Sequence, residues 1–169
     1  MAERDAVDLV LAQWADARPD VSAAPMGVVG RLSRASAILD RRLNDHFAEH
    51  GLARGEFDIL ATLRRAGGED GLSSGELLAH TMVTSGAITN RVDRLVAKKL
   101  VTRAERPGNR RSNVVALTPA GRTLIDDMLA GHVRNEEQLL AGLTLTEQQR
   151  LATLLRRLLI GLDDLPPGD

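Results

Sequence analysis

The stretch from residue 84 to residue 117 most constrains the fold, because its apolar periodicity changes halfway along. In its first half apolar residues recur three and four positions apart, as on one face of a helix: Ile88, Val92, Leu95 and Val96. In its second half, Val101 and residues 114–117 have the character of strands on either side of Pro107-Gly108-Asn109, a turn signal. The sequence therefore predicts a helix followed directly by one β-hairpin.

Helical patterns fill most of the remaining chain. Leu and Ala dominate, while aromatic residues make up only 2% of the sequence, and this composition favours helices over sheets. Apolar periodicity and capping residues predict further helices over residues 5–17, 28–50 and 54–66, a short one after Ser73, and others from Thr118 and near Thr146. Pro19 and Pro25 cannot continue a helix, so they are expected to lie in the break between the first two helices. We expect a mainly α fold.

The charge is unevenly distributed. The whole chain carries a net charge of −1. Residues 84–111 contain eight basic and two acidic side chains, so this segment has a net charge of +6 and the rest of the chain a net charge of −7. A local basic surface, and not the mean charge, is what attracts a nucleic acid.

Several function classes are excluded or disfavoured. The chain has no cysteine, which excludes a disulfide scaffold, a zinc ribbon and a thiol nucleophile. His46 and His50 have the spacing of a metal pair but lack further ligands, so we expect no metal and no cofactor. No catalytic constellation stands out, which argues against an enzyme. The acidic amphipathic start is not a signal peptide and no apolar run is long enough to span a membrane, so a cytoplasmic location is expected.

A short helix, a turn, a longer helix and a basic hairpin, in that order, predict a winged helix-turn-helix. The second helix fits the major groove of B-form DNA, and its first residues reach base edges. A basic wing tip suits the negative potential of the minor groove, and other basic side chains meet phosphates. The residues expected to contact DNA are Ser85, Thr89, Asn90, Arg91, Arg94, Arg106, Arg110 and Arg111.

The run from residue 74 to residue 122 resembles the MarR family of bacterial regulators. It contains the recognition-helix pattern TSGAITNRVDRLVAKK, the wing, and the closing stretch Leu117 to Arg122, which reads L-T-P-A-G-R. The likeness covers residues 28–162 and departs from the family pattern at Asn109, where an Asp is common. The resemblance implies a homodimer that binds a pseudo-palindromic operator in double-stranded DNA and represses transcription.

The resemblance also suggests how the chain is organised. Residues 1–27 form an extension helix and linker, residues 28–53 and 118–165 a helical dimerisation region, and residues 54–117 the DNA-binding region, all within one domain. A broad leucine stripe near the end independently favours dimerisation, because it exceeds what one small lobe needs to bury. Its members are Leu151, Leu154, Leu155, Leu158, Leu159 and Leu162.

A narrower resemblance concerns an effector. The urate-responsive subfamily has an extra N-terminal helix, and its ligand residues match Trp14, Asp58, Arg91 and Arg103 here in residue type. An indole stacks on a planar anion and guanidinium groups pair with it, so a small anionic aromatic effector such as urate is chemically coherent.

Plainer interpretations of the same residues remain open. Trp14 also suits a core anchor, Asp58 an ordinary surface residue, and the two arginines simple phosphate contacts. Phenolic or other aromatic acids are an alternative effector class. A winged helix that binds a protein partner is the alternative from a different functional class.

Overall fold

A computed structural model describes residues 4–81, 88–106 and 109–165 of the chain, the side chains of 106 and 109–112 excepted. Its elements follow in this order: α1 Ala6–Ala17, α2 Ala24–Ala48, α3 Arg54–Ala66, β1 Leu72–Ser73, α4 Ser74–His80, α5 Ile88–Ala97, β2 Val101–Arg106, β3 Asn109–Leu117, α6 Pro119–Leu139 and α7 Leu145–Gly161. The predictions of a mainly α fold and of one β-hairpin after a helix are confirmed. The chain divides into two compact units, Met1–Asp45 and His46–Asp169.

The first unit is organised by caps and an ion cluster. Asp5 accepts the backbone N–H groups of Val7 and Asp8 at 2.8 and 3.0 Å, and the Asp8 carboxylate accepts the N–H of Asp5 at 2.9 Å. Arg31 of α2 binds both carboxylates, at 2.8 Å from Asp5 and 2.7 Å from Asp8. These groups are partly exposed, so the cluster orients α1 on α2 more than it stabilises the fold.

Helix α2 begins at Ala24, four residues before the predicted start at residue 28. The expectation that Pro25 lies outside the helix was wrong. Proline lacks a backbone N–H, but the first turn of a helix has no intrahelical acceptor for that group anyway. Pro25 occupies this first turn, where the missing donor costs nothing.

The core of the second unit forms around α3. Phe57 of α3 stacks on Phe47 with ring centroids 4.3 Å apart, and the ring of His132 from α6 lies 4.6 Å from that of Phe57. Burial lowers the pKa of His132, against the opposing effect of the nearby Glu136 carboxylate. Apolar side chains that are at most 1% exposed come from the end of α2, from α3 to α6 and from β3: Phe47, Ile59, Leu60, Leu63, Leu77, Leu95, Val115 and Ile125.

The three strands form an antiparallel sheet in the order β1-β3-β2. In the hairpin Val101 pairs with Leu117 and Arg103 with Val115, and the register shifts between Glu105 and Arg106. The short β1 pairs Leu72 with Val115. Sequence reasoning missed β1, because two residues are too few to show a period of two.

Helix α6 starts as predicted, with Thr118 accepting the N–H of Gly121 at 3.0 Å and proline in the first turn. Helix α7 is capped by Thr144 and not by Thr146. The hydroxyl of Thr144 accepts the N–H of Glu147, and the Glu147 carboxylate accepts the N–H of Thr144 at 2.8 Å. Both threonines have the capping-box spacing, but only Thr144 has a charged carboxylate at N3, which the positive end of the helix dipole favours. Within the described residues, no helix has both the length and the hydropathy to cross a bilayer.

Gly121 lets the first turn of α6 pack closely on the backbone of Leu100, which lies between α5 and β2. A Cβ at this position would meet the backbone carbonyl of Leu100, which cannot move aside as a side-chain tip can. We predict that Gly121→Ala lowers the free energy of unfolding by about 1–3 kcal/mol, through overpacking. Gly131→Ala on the same helix is the control, because its Cβ would find only the tip of Arg134 at 3.9 Å. Urea unfolding at one fixed protein concentration measures both, and equal midpoints would contradict the prediction.

Candidate nucleic-acid interface

Helix α4 is the first helix of the helix-turn-helix. Ser73 and Glu76 form the predicted capping box, with the Glu76 carboxylate accepting the N–H of Ser73 at 2.7 Å. Leu77 is fully buried and fixes this short helix to the core. The second, longer helix of the helix-turn-helix is α5.

Helix α5 has one buried and one exposed face. Ile88, Val92 and Leu95 are buried, as their spacing predicts, but Val96, the fourth residue of the predicted apolar face, is 39% exposed. Thr89, Asn90 and Arg94 are exposed. The exposed side chains can donate and accept hydrogen bonds, which is the chemistry needed at base edges and phosphates. Ser85, a further predicted contact, lies outside the described residues.

The wing follows α5 after a tight helix end. Lys99 adopts the left-handed conformation at φ 60°, and the N–H of Leu100 reaches back to the carbonyl of Leu95 at 3.0 Å. The chain then enters β2 at Val101, so only three residues separate the helix from the hairpin. Three predicted contacts belong to the hairpin end, and their side chains lie outside the described part of the chain: Arg106, Arg110 and Arg111.

Arg103 on β2 pairs with the recognition helix. Its Nη2 lies 2.9 Å from Oδ1 of Asp93 on α5. Both side chains are partly exposed, so the pair contributes modestly to stability. Its main consequence is geometric, because it couples the position of α5 to the first strand of the wing.

Arg91 points away from the exposed face of α5 and packs on α3. Its guanidinium lies against Gly55, where any Cβ would clash with it. Within the described part of the chain, Nη1 of Arg91 is shielded from solvent and has no hydrogen-bond partner. A buried guanidinium N–H without an acceptor is costly, so this position is suited to receiving an anionic or carbonyl oxygen.

The remaining predicted ligand residues lie on two different units. Asp58 is half-buried and lies three residues after Gly55, so it shares the face of α3 on which Arg91 packs. Trp14 belongs to the first unit, where it is 43% exposed and lines a small cavity of about 200 Å³ with Arg18, Val21 and Met26. The Arg18 guanidinium is bound to Asp20 at 2.7 Å.

Comparison with known proteins agrees with this architecture. A sequence model of the MarR family matches residues 50–112. The transcriptional regulator PecS of Dickeya dadantii is 38% identical over 157 residues, covering 93% of this chain and 95% of PecS. The chain belongs to the MarR family. It is a DNA-binding transcriptional regulator and not an enzyme.

Solved structures of MarR-family proteins share the fold. A cysteine-to-serine variant of Escherichia coli MarR bound to operator DNA superposes with a TM-score of 0.70 at 26% identity, covering 86% of this chain and 97% of that one. Bordetella bronchiseptica BpsR, whose DNA binding is regulated by 6-hydroxynicotinic acid, also gives a TM-score of 0.70 at 25% identity, over 78% of this chain and 91% of that one. The winged-helix prediction is confirmed by this agreement.

Sequence reasoning missed two partners of the predicted arginines. Gly55 is a glycine inside a helical pattern, and such a residue signals close packing, although not what packs there. Asp93 is the lone acidic residue of α5, which also contains Arg91 and Arg94. Its pairing with Arg103 depends on how the wing folds back, which the sequence order does not show.

Gly55 gives a direct test of where Arg91 lies. We predict that Gly55→Ala moves the Arg91 guanidinium off α3 and changes the free energy of unfolding by less than about 1 kcal/mol, because the added methyl meets a flexible side-chain end. Arginine labelling with phenylglyoxal, followed by mass spectrometry, should show faster modification of Arg91. Gly75→Ala is the control, since a Cβ there meets nothing within 4 Å. Equal labelling of Arg91 in both variants would show that Gly55 does not shape its position.

Proposed function

We propose that this MarR-family regulator is a homodimeric repressor that leaves its operator when a small anionic aromatic molecule, with urate as the first candidate, binds beside the recognition helix. The proposal has three parts: DNA contact, dimerisation and effector response. Each part rests on different residues and is tested separately.

The DNA contacts follow from the two faces of α5. The exposed residues Thr89, Asn90 and Arg94 read bases or contact phosphates in the major groove. We assign the same role to Ser85, and phosphate or minor-groove contacts to Arg106, Arg110 and Arg111 at the wing. The relative with operator DNA bound supports this placement, because it shares the fold over most of the chain.

Dimerisation is supported by the apolar surface of α7. This helix has no buried residue, and most of its leucine stripe is between 39% and 67% exposed: Leu151, Leu154, Leu158, Leu159 and Leu162. A contiguous apolar face of this kind is rare on a monomer. A second copy of the chain would cover it and place two recognition helices about one DNA turn apart, on a pseudo-palindromic site.

The proposed effector site rests mainly on the unsatisfied guanidinium group of Arg91. Its buried Nη1 lacks an acceptor, on the face of α3 that also holds Asp58. An anionic ring oxygen would satisfy this donor in a charge-assisted hydrogen bond. The regulation of the related BpsR by 6-hydroxynicotinic acid supports a planar heteroaromatic acid as the ligand class.

Arg103 connects this site to DNA release. In the structure Arg103 is held by Asp93 of the recognition helix. An anion that pairs with Arg103 competes with Asp93, and this frees α5 from the wing. For Trp14, on the first unit, the subfamily resemblance implies a role in stacking on a planar ring. Ligand and DNA then favour different arrangements of α5, which is the thermodynamic requirement for induction.

Aromatic acids other than urate form the second candidate effector class. The ligand of BpsR is itself an aromatic acid with one ring. A carboxylate on such a ring would reach the same two arginines, so the chemistry of the site accepts both classes. The effector titration below separates them.

The DNA contacts are tested by fluorescence anisotropy with duplex DNA from the region upstream of the gene. We predict salt-sensitive binding, and that Arg94→Ala weakens it about 5- to 100-fold if the side chain reads a base. If Arg94 contacts only a phosphate, the slope of log K against log salt falls by about 0.9. Arg134→Ala, an exposed arginine on α6, is the control and should leave both quantities unchanged. An Arg94→Ala variant that behaves like this control would remove α5 from the interface.

The effector is tested by repeating that titration with urate. We predict that urate weakens DNA binding by the parent chain, and that Arg103→Ala raises the half-maximal urate concentration at least about tenfold, as expected for loss of a charge-assisted pair. Asp58→Ala, by contrast, should abolish the response to urate. Asp93→Asn should act in the opposite direction and lower the half-maximal concentration, because it removes the competitor for Arg103.

Two outcomes would change the assignment. Tight DNA binding that urate leaves unaffected, but that an aromatic carboxylic acid weakens in the same variant-dependent way, selects the second ligand class. A normal urate response in both Arg103→Ala and Asp58→Ala would exclude this site as the effector site.

A further inference from the structure

We propose that Lys98 is a positioning residue for the recognition helix and not a phosphate contact, and that the buried Glu56 is its partner. In the sequence Lys98 is one of the eight basic residues of the patch that suits DNA. In the folded chain its side chain is 37% exposed, but its ammonium group is held by an internal carboxylate and a backbone carbonyl. The pair joins the end of α5 to the start of α3.

Glu56 is an almost completely buried carboxylate, 2% exposed, in the first turn of α3. Its Oε2 accepts the backbone N–H of Ala53 at 2.8 Å, which caps the helix. A charge in such a position costs several kcal/mol unless it is paired. The capping bond supplies one partner, and the compensating positive charge comes from Lys98.

Lys98 makes two specific contacts at the end of α5. Its Nζ lies 2.7 Å from Oε2 of Glu56 and donates to the backbone carbonyl of Gly51 at 2.8 Å. Both acceptors precede or begin α3, so the ammonium group is held between the loop after α2 and the first turn of α3. A lysine used in this way has its charge neutralised locally and is poorly placed to neutralise a phosphate.

Because the Lys98–Glu56 pair lies at the end of α5, a small change there moves the residues proposed to contact DNA at the start of the helix. Lys98 follows the last residue of α5, whereas Asn90 lies eight residues earlier, about 12 Å along the helix axis. A rotation of about 10° about the Lys98 end would therefore displace Asn90 by about 2 Å. Base readout requires placement to about 0.5 Å. Phosphate attraction is less demanding of geometry, because it acts over roughly a Debye length.

The two kinds of DNA binding should accordingly respond differently to loss of the pair. Affinity for the specific site depends on the exact setting of α5, while affinity for unrelated duplex depends mainly on total charge. The inference requires DNA binding by this chain but not the effector or the dimer proposed above. Its test uses no effector, so its failure leaves the effector assignment intact.

The experiment compares four variants of the full chain: Lys98→Met, Glu56→Gln, the double variant Glu56→Gln/Lys98→Met, and Lys99→Met. Anisotropy measures affinity for a duplex selected from random sequence by the parent chain, and for a scrambled duplex of equal length, at several salt concentrations. Circular dichroism and urea unfolding confirm that each variant is folded at the assay temperature. Lys99→Met is the matched control, since it removes the neighbouring exposed charge but leaves the pair intact.

We expect Lys98→Met and Glu56→Gln each to lower the ratio of specific to scrambled affinity about tenfold, which corresponds to about 1.4 kcal/mol. The double variant should be no worse than the more affected single variant, because both remove the same interaction. The salt slope should stay at the parent value in Glu56→Gln and Lys98→Met. Lys99→Met should weaken both affinities equally and keep the ratio.

Three results would overturn the inference. If Lys98→Met weakens both affinities equally and reduces the salt slope by about 0.9, Lys98 is a phosphate contact. If Glu56→Gln and Lys98→Met lower the unfolding midpoint but keep the ratio, the pair is only structural. If the two losses add in the double variant, the residues do not act together. Lys98→Met leaves an unpaired buried carboxylate, whereas the double variant buries no unpaired charge. If Lys98→Met fails to fold, the ratio of specific to scrambled affinity and the salt slope of the double variant decide between these outcomes.

Discussion

The burial of α3 is the constraint on which the rest of the second unit depends. Seven of its thirteen residues are buried, and Ile59 and Leu60 are completely inaccessible to solvent. Each such side chain contributes about 1.5–3 kcal/mol when removed from water. The helix meets α4, α5, α6 and β3, so it is the common surface against which the DNA-binding elements are positioned. A helix so thoroughly surrounded can move only if several neighbours move with it.

The polar residues of α3 use that rigidity. Glu56 receives Lys98 from the end of α5, and Gly55 leaves room for the guanidinium of Arg91. Asp93 binds Arg103 of the wing. Three side chains therefore hold α5: Lys98 contacts the start of α3 and the loop before it, Arg91 packs on α3, and Asp93 contacts the sheet. The Asp93–Arg103 pair is partly exposed, so an anion can reach it, whereas the Glu56 carboxylate and Nη1 of Arg91 are shielded from solvent. On the proposals above, Lys98 and the buried Glu56 position α5, and an effector anion shifts it through Arg103.

The same arrangement accounts for a chain with net charge −1 that binds a polyanion. Positive charge is concentrated in α5 and the wing, but the structure separates residues that the composition treats alike. Arg94 is exposed, Arg91 packs on α3, Arg103 faces Asp93, and Lys98 faces Glu56. Two of the eight basic side chains of the patch, Arg103 and Lys98, therefore already have a carboxylate partner within the chain.

The sequence by itself determined the helical content, the hairpin, the cap of α4 and the buried face of α5. These features depend on periods of 3.6 and 2 and on caps that act within three or four residues, so they are local properties of the chain. It also determined the family, because the run from α4 to the start of α6 is a continuous pattern. Where two local signals competed, as for Thr144 against Thr146 or for Pro25, only the folded chain showed which one was used. The pairings of Arg91 with Gly55, Arg103 with Asp93, and Lys98 with Glu56 were decided by tertiary structure alone. Their partners are 10 to 42 residues apart along the chain, and a charged side chain carries no mark in the sequence of whether it will face solvent or a buried carboxylate.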